Sequence, residues 1–300
     1  MLGGILAINK YLQSKNGEST FHEEFVKIDS SAVTQILIYP KAEKGKEIKI
    51  TKAAKGWDLQ NDKIKTVADS NAVLGLLANF SNIKSQSLAA ENKSGWNDLQ
   101  VTDTSGSRIK ITTKDNQTYD IIVGKFGYNP ATRGGVTYIR HANEEAVYAV
   151  EGYLAFTVSQ GFNAWRNKTF IRGNKNNWSS LTFNYPGDSS FVLSKQNNMW
   201  TVNGEPADST KTIQYLTELA NTQSSSFVDQ YTPASTPVFT LTISGNNQSS
   251  PITVLAYPAD SVQKYILHSN LNPEVYFSEA QSRLTDRIFV GKQKFFKEEK

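Results

Sequence analysis

Two hydrophobic rhythms divide this chain. In residues 33–39 (VTQILIY), 47–52 (EIKITK), 108–113 (RIKITT) and 118–123 (TYDIIV), β-branched and apolar residues crowd together or alternate with polar ones. Such runs predict strands with a buried face. Pro40 stops the first run, a charged turn at 41–46 leads to the second, and the polar turn 114–117 makes the last two a hairpin. Further strands are expected at 136–140 and 146–150, with a short helix within 153–162. The second rhythm is helical. Val73, Leu76, Leu77 and Phe80 fall at i, i+3, i+4 and i+7, on one apolar face. Asp69 or Ser70, just before it, can cap that helix by accepting backbone N–H bonds. The face packs most simply on the sheet of neighbouring strands.

The same order then returns. Tyr39-Pro40 is matched by Tyr185-Pro186, residues 48–52 by 191–195, and Trp57 by Trp200. Ala68-Asp69-Ser70 is matched by Ala207-Asp208-Ser209, and the helix face by Thr212, Tyr215, Leu216 and Leu219. Later, Tyr138-Ile139-Arg140-His141 is matched by Tyr265-Ile266-Leu267-His268, and Val147-Tyr148 by Val275-Tyr276. The second half is shorter between its helix and this hairpin. The pattern predicts an α+β protein of two tandem copies of one module, each a mostly antiparallel sheet with one principal packed helix. The expected boundaries are a stub and linker at 1–24, copy one at 25–173, copy two at 174–292 and a charged tail at 293–300. The polar, turn-rich residues 173–177 (GNKNN) mark the junction.

Composition narrows the function classes. The chain has 300 residues, enough for two domains that each bury a core. Net charge is +4 and the charges are scattered, which does not indicate a nucleic-acid binder. The chain has no cysteine, which excludes disulfides, thiolate metal sites and Cys nucleophiles. At the N-terminus the apolar residues 2–8 (LGGILAI) fall short of the roughly 20 that span a bilayer. They also lack the basic start and cleavage site of a signal peptide. Two readings stand: a packed N-terminal helix, or the last turns of a membrane anchor followed by the polar linker 13–20.

The Trp-bearing strand, the Ala-Asp turn, the helix with paired leucines and the later Tyr-Ile-Arg strand resemble the bacterial family of domains of unknown function numbered 4340, over residues 30–292 of this chain. The resemblance implies an N-terminal membrane helix and an extracytoplasmic (periplasmic) body. It also implies partnership with ABC-type transporter permease and ATPase components, including ones like gliding-motility transporters. It brings no catalytic residues with it.

Candidate chemistry is sparse. The glycine-rich stretch 124–135 reads as a loop, where Gly124, Gly127, Gly134 and Gly135 could offer backbone N–H groups to an anion beside Lys125 and Arg133. It lacks the spacing of a Walker loop. Trp57 and Trp200 recur at one module position and read as core. Trp96, Trp165 and Trp178 do not recur and are the candidate interface aromatics. His141 and His268 match between the halves, each at a strand end; a metal site would need further ligands, and Glu144 and Glu145 are close to His141 but only Glu274 is near His268, so both read as polar residues at a strand end or turn. No GxSxG, HExxH or Rossmann fingerprint occurs, and no catalytic, metal or cofactor site is expected. The leading expectation is a non-enzymatic, membrane-anchored accessory or scaffold subunit of a transporter complex. The alternatives are a soluble carbohydrate- or peptide-binding protein using residues 124–135 and the unrepeated tryptophans, and a hydrolase with an unfamiliar site.

Overall fold

The computed structural model describes residues 24–129, 133–260, 263–279 and 283–297. The expected N-terminal stub lies outside the described residues, except for its last position. The chain divides into two compact units, Met1–Arg166 and Asn167–Lys300. The described fold is α+β, dominated by antiparallel sheet.

The first unit runs β1 (Glu24–Lys27), β2 (Val33–Tyr39), β3 (Ile48–Lys52), β4 (Trp57–Gln60), β5 (Lys65–Val67), α1 (Ser70–Phe80) and β6 (Asn82–Ala90). It continues with α2 (Trp96–Leu99), β7 (Ser107–Thr113), β8 (Thr118–Asn129), β9 (Gly134–His141), β10 (Val147–Glu151) and α3 (Leu154–Val158). Its strands form one sheet in the order β1-β6-β10-β9-β8-β7-β2-β3-β4-β5. Asp69 is the N-cap of α1, its carboxylate accepting from the Asn71 and Ala72 N–H groups at 2.9 and 3.3 Å. Val73, Leu76, Leu77 and Phe80 are buried against Ile36, Ile38, Ile50, Trp57 and Ile139 from one face of the sheet. At about 1.5–3 kcal/mol for each large apolar side chain removed from water, this face holds α1 down.

The second unit runs β11 (Thr169–Arg172), β12 (Trp178–Asn184), β13 (Phe191–Gln196), β14 (Met199–Val202), β15 (Glu205–Pro206), α4 (Ser209–Leu219) and β16 (Asn221–Gln223). It ends with β17 (Phe227–Val228), β18 (Phe239–Gly245), β19 (Ile252–Pro258), β20 (Tyr265–Ser269), β21 (Tyr276–Ser278) and α5 (Leu284–Ile288). Its main sheet has the order β15-β14-β13-β12-β18-β19-β20-β21-β17, and β11 pairs with β16 apart from it. Asp208 caps α4 through the Lys211 N–H at 2.9 Å. Thr212, Tyr215, Leu216 and Leu219 are buried beneath α4, as the helical spacing predicts. Tyr215 is fully enclosed and donates its hydroxyl to the Ile288 carbonyl at 2.6 Å, and burial raises its pKa well above the usual phenol range.

Two expected boundaries shift. The division between units falls ahead of residues 173–177, because Thr169 and Arg172 pair with Gln223 and Asn221 of the second unit. The Trp165 carbonyl, in contrast, accepts the Asp69 N–H at 2.8 Å and belongs to the first. The segment expected as a charged tail from 293 also enters the core. Phe295 is fully buried among Phe183, Phe191 and Tyr215, and its carbonyl accepts the Asp208 N–H at 2.8 Å. The surrounding lysines mask that one apolar anchor in the sequence.

Candidate functional site

The glycine-rich stretch is strand, not loop. β8 continues to Asn129 and β9 starts at Gly134, with Phe126 opposite Thr137, Gly127 opposite Val136, Tyr128 opposite Gly135 and Asn129 opposite Gly134. Residues 130–132 lie outside the described residues. Successive N–H groups of a strand point to opposite sides, so no run of them converges as an anion cradle requires. The glycines serve close packing. A Cβ on Gly124 would run into the Leu99 carbonyl and Val101, one on Gly127 would press on Tyr138, and one on Gly135 would enter the Phe126 ring. Lys125 holds its ammonium 5.8 Å from the centre of the Tyr138 ring. Arg133 is exposed and takes a left-handed φ of 52° at the turn.

Of the three candidate interface tryptophans, two are core. Trp165 and Trp178 are 2% and 1% exposed. Trp165 packs with the first unit's core, and Trp178 lies under Gly173 at the start of β12. The absence of a matching tryptophan in the other half therefore does not mark a surface residue. Trp96 alone is part-exposed, and it leads to a cluster that the sequence did not disclose.

Arg140 is that cluster's centre. It lies on β9 beside Ile139, whose side chain faces the main core, so strand alternation turns Arg140 to the other face. There it is fully buried. Its Nε donates to the Val101 carbonyl at 2.7 Å, Nη1 to the Ala142 carbonyl at 2.9 Å, and Nη2 to the Asp103 carboxylate at 2.8 Å. The guanidinium also lies 3.8 Å from the centre of the Trp96 ring, whose indole N–H donates to the Glu145 carbonyl at 2.8 Å. Burial lowers the Arg140 pKa and Asp103 opposes that shift. Val101, Ile122 and Val147 form a small second core around it, with Trp96, Leu99 and Tyr138 packed against them. One arginine thus pins residues 93–106 across the back of the sheet. An arginine in the middle of an apolar strand was the one available signal.

Beyond that pinned segment the same face stays open. Ser87, Ala89 and Ala149 form the floor of a groove of about 380 Å³, with Leu99, Tyr128, Asn129, Val136 and Tyr138 around it. Its volume is near the lower end of ligand sites, about 300–1,000 Å³. Farther along the sheet, Arg108 holds Asp120 by two bonds of 2.7 and 2.6 Å. Burial alone would raise the Asp120 pKa, but Arg108 and then Lys110 hold it below the usual carboxylate range.

The histidines are not equivalent in the fold. His141 stacks on Phe25 at 4.2 Å between ring centres. It is two residues from Ile139 and so shares the core face. His268 neighbours the buried Leu267 and therefore turns to the opposite face, where it lies 4.8 Å from Tyr276 and its Nε2 is 3.0 Å from the Pro273 carbonyl. A one-residue slip in strand register exchanges the two faces, which the sequence match could not detect. Among the described residues no three His, Cys, Asp or Glu side chains are grouped to hold a metal ion. No helix among them is long and apolar enough to cross a membrane.

These features define an α+β protein whose polar clusters brace sheets and whose open ground is a sheet face with aromatic walls. The family model described as Domain of unknown function (DUF4340) matches residues 57–241, a span that enters both units. The chain belongs to that family. The comparisons with curated proteins and with solved structures gave no match.

Proposed function

We propose that this chain is a non-enzymatic, extracytoplasmic accessory or scaffold subunit of a membrane ABC-type transporter complex, built from two copies of one module. Family membership is the observation that carries the transporter reading, since the family resemblance implies permease and ATPase partners and a membrane anchor. The polar side chains support it. Arg140, Asp103, Arg108 and Asp120 are engaged in holding strands and the pinned segment rather than converging on a cleft.

Strand order supports the two-copy reading. The sequence of neighbours β6-β10-β9-β8-β7-β2-β3-β4-β5 has the same form as β17-β21-β20-β19-β18-β12-β13-β14-β15. Each unit's 11-residue helix follows Ala-Asp, and the Asp N–H of each is held by a carbonyl from near that unit's C-terminal end, Trp165 or Phe295. An experimental structure in which the units fail to superpose through α1 and α4 would refute the duplication.

Affinity purification of the full-length native protein from solubilised membranes, with mass spectrometry, tests the transporter reading. Near-stoichiometric permease and ATPase are expected. Recovery of the chain alone from the soluble fraction would contradict both the partner and the anchor. In that case the second reading, a carbohydrate- or peptide-binding protein, gains from the groove between Tyr128 and Tyr138.

A further inference from the structure

We infer that the free edge of β5 takes up an extended segment of a partner protein, one that sets an acidic side chain beside Lys65 and an apolar one beside Val67. β5 ends the first unit's sheet, and among the described residues no strand pairs with it on the side away from β4. Its register fixes which backbone groups face outward. The Ala68 N–H donates to the Trp57 carbonyl and the Asn61 N–H to the Ile64 carbonyl, both at 2.9 Å. Bonded pairs alternate along an antiparallel ladder, so Thr66 bonds Leu59 between them. The N–H and C=O groups of Lys65 and Val67 therefore point away from the sheet. Just past β5 this side already holds a chain segment: the Asp69 N–H takes the Trp165 carbonyl at 2.8 Å, and Ala68 bridges Arg166 in antiparallel sense.

The second unit closes its corresponding edge. β15 also ends its sheet and leads through Ala207-Asp208 into a helix. The Ala207 N–H donates to the Trp200 carbonyl at 2.9 Å, so position 206, next to it, faces outward. That position is a proline, which has no N–H to offer an added strand. In β5 the residue before Ala68-Asp69 is Val67, which keeps its donor.

Side chains select the occupant. Thr66 is buried, so Lys65 and Val67 share the opposite face, where Val67 is 42% exposed. Lys63 and Lys65 are exposed and form no ion pair among the described residues. Asp58, opposite Val67 on β4, lies one strand farther in. Opposite charges and apolar groups on adjacent strands attract, and like charges repel. Two copies of this chain would set lysine-bearing edges side by side, which lysine on an edge discourages. An acidic, apolar strand from another protein satisfies the backbone groups and both side chains by strand addition.

Full-length protein titrated with a short end-capped peptide, in which threonine alternates with valine and glutamate in turn, tests this. The peptide should bind saturably, and more tightly than its counterpart with lysine in place of glutamate. Val67→Pro should weaken binding about tenfold by removing an outward donor. Its thermal midpoint should stay near that of the parent, because that N–H bonds nothing in the sheet. Lys65→Glu should invert the preference between the two peptides. Amide exchange followed by NMR should be fast at Lys65 and Val67 and slow at Thr66 in the free protein, with Lys65 and Val67 slowed by the acidic peptide. Absence of binding, equal binding by Val67→Pro, an unaltered preference in Lys65→Glu, or exchange at Lys65 and Val67 untouched by the bound peptide would each overturn the proposal. So would a dimer of the chain that Val67→Pro dissolves, which would make a second copy the occupant. No transporter component enters the titration, so failure here leaves the transporter reading standing, and the reverse also holds.

Discussion

On the face of its sheet turned away from α1, the first unit buries an arginine; on the face turned away from α4, the second sets tyrosines. Arg140 uses its guanidinium to hold Val101, Ala142 and Asp103 and to stack on Trp96, fixing residues 93–106 over the strands. In the second unit Tyr276 lies 5.0 Å from Tyr231 and 6.3 Å from Tyr257, with His268 beside it. Burial raises the pKa of Tyr231 and Tyr257, and neither ring replaces the ionic clamp. Each helix covers an apolar face of its own sheet. The faces away from the helices differ between the units, because a half-exposed sheet face tolerates several coverings.

The comparison can be tested by deletion. Leu76→Ala and Leu216→Ala remove buried leucines under α1 and α4, and each should cost about 2–5 kcal/mol. Hydrogen exchange resolved by peptide should place each loss in its own unit. Equal loosening of both units by either variant would break the picture of separate cores.

Arg140→Leu should cost about 2–4 kcal/mol, since it leaves buried carbonyls unpaired. Exchange should rise first in residues 93–106, with Trp96 emission shifting, while the second unit is unaffected. Retained protection of 93–106 would show that Val101 and Leu99 alone hold the segment.

The helix caps offer a finer comparison. Asp69→Ala should cost about 1–2 kcal/mol and Asp208→Ala nearer to about 1 kcal/mol, because Asp69 serves two N–H groups and Asp208 one. Urea midpoints of the two variants check the order.

The smallest effect is acidic. The Asp120 pKa is depressed in the fold, so its stabilisation is complete above the unfolded value of about 3.9 and is lost as pH falls through the folded value. The pair is part-exposed, so the loss should be at most about 1 kcal/mol. Asp120→Asn should remove that part of the first unit's acid sensitivity and leave the second unit's profile unchanged.

What the sequence disclosed follows from which signals are local. The helical faces and the capping positions depend on spacing within a dozen residues; the faces appear as expected, and of the two capping candidates Asp69 and Ser70 the aspartate takes the role, as Asp208 does in the second unit. The glycine-rich strands did not, because glycine weakens a strand by propensity while close approach to Tyr138 or Val101 demands it. Trp165 and Trp178 read as surface from their lack of a match, although burial depends on contacts far along the chain. The histidine match failed by one residue, which in a strand is the whole difference between faces. Arg140 was visible as a residue, but its partners Val101 and Asp103 lie 39 and 37 positions away, beyond any pattern that spacing shows.

Native electrophoresis of gently solubilised membranes, followed by detection of this chain, tests most directly whether it is a subunit of a larger membrane machine. Migration in one band with a permease and an ATPase, shifted when either is deleted, is the expected result. Migration as a free protein of 33.3 kDa, unchanged by those deletions, would contradict it.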